Sequence, residues 1–148
     1  MAGTLKVKIQ EDIILDNQDY GSKRILEISS IDEIYKRIIT CPASQTTTIV
    51  TFGTNVYDAN GNFDVEDVRY IRVTNLDSSN SVEIAVVGAT LYQVALRAGH
   101  SHILGRSDDL MLAEGDGTPS FGTMADISKI ACRPNGSAVS LEVFIASA

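Results

Sequence analysis

Apolar and polar residues alternate along most of this chain, and alternation at a period of two is the mark of a half-buried β-strand. In LKVKI, Leu5, Val7 and Ile9 fall on one side and Lys6 and Lys8 on the other. In VEIAV, Val82, Ile84 and Val86 share a face, as do Tyr92, Val94 and Leu96 in YQVAL. In VSLEVFI, Val139, Leu141, Val143 and Ile145 alternate with Ser140, Glu142 and Phe144. TTTIVTFG (46–53) and RYIRVTNL (69–76) are rich in the β-branched and aromatic residues that suit a pleated surface. A sheet with one wet face must bury its other face against a second layer.

The breaks between these runs agree. RPNGS (133–137) carries Pro134 and Asn135-Gly136, a strong turn signal. NLDSSNS (75–81) is polar and turn-rich, and Arg97-Ala98-Gly99 separates one strand from the next. Roughly nine or ten short strands at this spacing predict an all-β chain, an antiparallel β-sandwich of jelly-roll-like form. With no repeat and no low-complexity linker, residues 1–148 read as a single domain. Residues 1–23 read as an N-terminal strand followed by an irregular segment, QEDIILDNQDYGSK (10–23). In it, Ile13, Ile14 and Leu15 sit beside acidic residues, either as core or as an arm that docks on a neighbour. SSIDEIYKRIITC is ambiguous: Ser30 with Glu33 resembles a capping box, yet a strand from about residue 34 is favoured, with a short helical turn before it.

Charge and cysteine usage narrow the function classes. The formal net charge is −7 and no basic cluster is present, which speaks against binding a phosphate backbone. MAGTLKVKIQ has no continuous apolar run or cleavage pattern, and no stretch nears the roughly 20 apolar residues of a membrane span. The expectation is a chain folded in a cytoplasm, without membrane or nucleic-acid partners. Cys41 and Cys132 form no CxxC pair, and two reduced, buried thiols in strands are expected.

Three clusters offer candidate chemistry. His100 and His102 are the only histidines, and at spacing i, i+2 on a strand they share a face, as two metal ligands would. Gly…His-x-His on a sandwich resembles the cupin family, but Val94 stands where that family has its glycine, Arg106 and Ser107 stand where its glutamate falls, and no histidine follows His102. Asp58, Asn60, Asn62 and Asp64 alternate like oxygen ligands in a calcium loop, although Phe63 and Arg69 occupy the positions of its glycine and bidentate glutamate. Asp108, Asp109, Glu114 and Asp116 lie in a long Gly-rich loop that suits interaction at least as well as catalysis. No nucleophile elbow or phosphate-binding loop is present, so no cofactor or catalytic residue is expected.

The cadence of RYIRVTNLDSSNSVEIAVVGATLYQVALRAGHSHILG (69–105) resembles small β-sandwich accessory and cement proteins of tailed-bacteriophage virions. The resemblance is one of strands and turns, over about the middle quarter of the chain. It implies a non-enzymatic capsid cement or decoration subunit, located in the virion. The implied partners are the major capsid protein or other virion proteins, and copies of itself as a dimer or trimer. A receptor- or glycan-binding module of a phage tail or fibre is the alternative, using loops such as 54–67 and 107–122. A cupin-like metal-binding protein using the His-x-His pair is the second alternative.

Overall fold

The structure is a computed structural model that describes residues 1–54, 62–104, 123 and 125–148. Its described residues form thirteen strands and no helix. Eight of them make the body, and their pairing is nested. The strand β5 (Glu33–Cys41) pairs with the last strand, β13 (Val139–Ser147). Next, β6 (Thr47–Gly53) pairs with β12 (Lys129–Pro134), and β8 (Val68–Asn75) with β11 (Ser101–Leu104). Innermost, β9 (Val82–Val87) pairs with β10 (Leu91–Leu96). All four pairs are antiparallel. This is one long hairpin rolled into two facing sheets, the topology of a jelly roll. The sheet orders are β5-β13-β8-β11 and β10-β9-β12-β6, the latter extended by β7 (Asn62–Asp64), parallel to β6.

The alternation seen in the sequence decides which side of each strand is inside. Val139, Leu141, Val143 and Ile145 face the other sheet, with Ile71, Val73, Val82, Ile84, Val86 and Ile130 among their buried companions. Each such aliphatic side chain contributes about 1.5–3 kcal/mol by leaving water. Buried Asn75 ends β8 and organises the turn after it: its amide donates to the carbonyls of Asn80 (2.8 Å) and Leu96 (3.1 Å), and its oxygen accepts from Asp77 N–H (2.9 Å). A buried amide so satisfied fixes the turn instead of destabilising it.

Three expectations are corrected. Cys41 and Cys132 are indeed buried and in strands, but they are joined as a disulfide that staples β5 of one sheet to β12 of the other. The roll brings together residues 91 positions apart, which spacing alone cannot show. Their Cα atoms are 7.1 Å apart, just past the roughly 4.4–6.8 Å that most disulfides span.

The segment 10–23 is not irregular. Here β1 (Gly3–Glu11) and β4 (Ser22–Ile31) form an antiparallel ribbon, closed by the small hairpin β2 (Ile14–Leu15) and β3 (Gln18–Asp19). Asp16 and Asn17 sit between them at φ 49° and 62°, the two positive angles that a tight hairpin turn of the twist-matched kind needs. A Cβ on Gly21 would come within 2.8 Å of the Glu11 carbonyl, so glycine is required where the ribbon bends. Lys6 and Lys8 lie on this ribbon, and Lys6 pairs with Glu27 across it at 2.8 Å.

No helical turn precedes β5. Ser30 adopts φ 59° within a bulge of β4, and the Asp32 N–H bonds to the Ser147 carbonyl, which leads the chain straight into the sheet. Helical spacing would gather Ile31, Ile34, Tyr35 and Ile38 on one face. The strand instead turns Tyr35 to the core and leaves Ile34 and Ile38 exposed.

Candidate functional site: an apolar ribbon on the sandwich

In the ribbon, opposite residues share a face, so Leu5, Val7 and Ile9 of β1 stand beside Ile28, Leu26 and Arg24 of β4. At the base this face is covered. Leu5, Val7 and Ile28 pack with Ile31 against Tyr70 and Ala146 of the body, beside Phe144. Tyr70 and Phe144 meet edge to face, with ring centroids 6.0 Å apart. Burial raises the Tyr70 phenol above its ordinary pKa. The Arg72 guanidinium lies 5.8 Å from the Phe144 ring and bonds Glu142 at 2.6 Å. That hydrogen bond holds the Glu142 carboxyl below its ordinary range, with Lys36 adding its charge from 3.5 Å.

Beyond the base the same face is bare. Ile9 and Leu26 are exposed, as are Ile13, Ile14, Leu15 and Tyr20 at the tip and Ile25 on the opposite face. A two-stranded ribbon in water is marginal unless a further layer covers its apolar side. Of the fourteen exposed large apolar residues among the described ones, ten lie between Met1 and Ile38. Scattered exposed apolar residues are ordinary, and it is their concentration here that sets the ribbon apart from the rest of the described surface. The structure thus places Ile13, Ile14 and Leu15 outside the core. Sequence reading missed Ile9, Tyr20, Ile25 and Leu26 as exposed parts of the ribbon; the signal available was Leu26 and Ile28 at spacing i, i+2, hidden by the adjacent Ile25.

The two histidines have different settings. His100 is exposed in the turn before β11, its carbonyl accepting from Asn75 N–H. His102 lies in β11, half-buried, with Nε2 3.1 Å from the Tyr92 hydroxyl of β10. This contact ties the edge strands of the two sheets. Among the described residues no group of three His, Cys, Asp or Glu side chains could hold a metal. Asn62 and Asp64 form the ends of β7, where Asp64 accepts from Glu66 N–H at 3.1 Å; Asp58 and Asn60 lie outside the described residues. Asp108, Asp109, Glu114 and Asp116 also lie outside them.

Burial lowers the His102 pKa, so folding favours its neutral form. The unfolded chain then binds more protons below the usual value near 6.5, and the stability due to neutral His102 falls as pH drops through that window. The loss levels off once the folded-state value is passed. Denaturant titrations from pH 8 to about pH 5 are expected to show this decline in the wild type and a shallower one in His102→Gln. Equal slopes would show that His102 carries no such linkage.

In comparisons with known proteins, no family model, curated protein or solved structure matches the chain. Fold and site together define a jelly-roll β-sandwich that carries an exposed, apolar N-terminal β-ribbon.

Proposed function

We propose that this chain is a structural subunit of a tailed-bacteriophage virion, a cement or decoration protein that reinforces the capsid shell by binding and not by catalysis. The observation that carries this reading is the ribbon: apolar residues from Ile9 to Leu26 displayed to solvent on a rigid, disulfide-stapled body. A cement protein works through buried area and repeated contacts over a symmetric shell, and such a ribbon supplies area. The strand-and-turn cadence of 69–105, which resembles that of such proteins, supports it further. The disulfide suits a particle that is assembled in the host cytoplasm but persists outside it after release, where the bond is not reduced.

The test is quantitative mass spectrometry of purified particles from the phage that encodes the chain. The expected result is the protein at a fixed, high copy number relative to the major capsid protein, together with particles that lose heat resistance when it is removed. Its absence from the particle would overturn the proposal.

A further inference from the structure

We infer that the ribbon tip of one copy docks on the edge strand β5 of a second copy of this chain. This deepens the structural-subunit reading and rests on it: the tip joins copies, and the exposed Ile9, Ile25 and Leu26 behind it remain for the shell. Three observations select the occupant. First, β5 ends its sheet, and among the described residues no strand pairs with its outer side along nine residues. A free edge of that length accepts a further extended segment through backbone hydrogen bonds.

Second, the two surfaces match in chemistry. Within residues 11–19 the tip carries Glu11, Asp12, Asp16 and Asp19 around its exposed Ile13–Leu15, and no basic residue. Beyond Glu33 at its start, the exposed part of β5 carries Arg37, and Lys36 with Glu142 3.5 Å away, between Ile34 and Ile38, which are 51% and 61% exposed. Aliphatic groups meet aliphatic groups, and carboxylates meet cations at their margins.

Third, the outer face of this sheet already receives the ribbon's base within the chain, through Tyr70 and Ala146. On that face Ile34 is paired directly with Ala146, so the proposed contact continues the established one.

Every copy bears one tip and one β5 edge, so a single contact leaves one of each unfilled. Closure by two-fold exchange or a small ring would fill both and end growth.

The test is mass in solution by light scattering over a concentration series. The wild type is expected at a multiple of 15.9 kDa. Asp12→Lys/Asp16→Lys and Lys36→Glu/Arg37→Glu each place like charges in the contact, and each is expected to weaken association at least about tenfold. The chain carrying all four changes restores the attraction and is expected to recover the oligomer. Circular dichroism and melting confirm that each variant is folded.

Independently, a photo-crosslinker at position 14 is expected to attach to residues 33–41 of another copy. A wild-type monomer at all concentrations would overturn the inference. So would reversals that leave the mass unchanged, a fourfold variant that stays dissociated while folded, or crosslinks elsewhere. A monomer that is still present in particles overturns this inference alone, and an oligomer absent from particles overturns the proposed function alone.

Discussion

Replacing Cys41 and Cys132 together by alanine is expected to lower the unfolding free energy by about 3–5 kcal/mol, because the bond closes a loop spanning 91 positions. In the chain-entropy picture, a cross-link over that length removes many conformations from the unfolded state. The native contribution is also substantial. The bond runs between the two sheets at the end of β5, the edge strand that follows the ribbon, and both cysteines are almost wholly shielded from solvent. Alanine is the replacement of choice, since serine would bury two hydroxyls and add their desolvation cost. Chemical denaturation of wild type and double variant measures the difference. For a chain of this size a loss in that range lowers the melting temperature by roughly 10 °C or more. Reductant is expected to reproduce the loss in the wild type and leave the double variant unchanged. Thiol titration in denaturant supplies the direct check: no free thiol before reduction and two after. Two free thiols at the outset, or a double variant as stable as the wild type, would refute the staple.

Much of the body was legible in the sequence because strands such as β9 and β13 bury one side only along most of their length. Val82, Ile84 and Val86 alternate with polar or small neighbours since one side of β9 meets the opposing sheet. The same period gave β13 its four inward residues, and Asn135-Gly136 gave the turn before it. The ribbon was half legible. LKVKI reads as a strand, but alternation carries no information on whether the apolar side meets the core or solvent. Its partner β4 has Ile25 and Leu26 adjacent, one on each face of the ribbon, which breaks the period and conceals the strand. The tip was concealed for a different reason. Two-residue strands are too short to show any period, and Asp16-Asn17 is a weaker turn signal than Asn-Gly. The disulfide was not legible at all, because it depends on how the nested hairpin rolls.

Leu141→Ala and Ile38→Ala are expected to separate the core from the interface, although both residues lie on neighbouring strands of one sheet. Leu141 is fully buried, pairs with Ile39 on one side and Asn75 on the other, and points at the opposing sheet. Its truncation removes apolar surface that had left water and opens a cavity between sheets that hydrogen-bonded strands cannot close. The expected cost is about 3–5 kcal/mol at every protein concentration. Ile38 pairs with Glu142 on the outer face and is 61% exposed. Within one chain its truncation is expected to cost no more than about 0.5 kcal/mol. Its effect is expected in association instead, since the β5 edge would lose one of its two exposed isoleucines. Because an oligomer that forms only from folded chains gains stability with concentration, the wild type and Leu141→Ala are expected to melt higher as concentration rises. Ile38→Ala is expected to show a smaller rise. Thermal denaturation at several concentrations reads both effects together. A concentration-independent wild type would remove the second copy from the account, and a Leu141→Ala loss below about 1 kcal/mol would mean that the two sheets do not pack as this core requires.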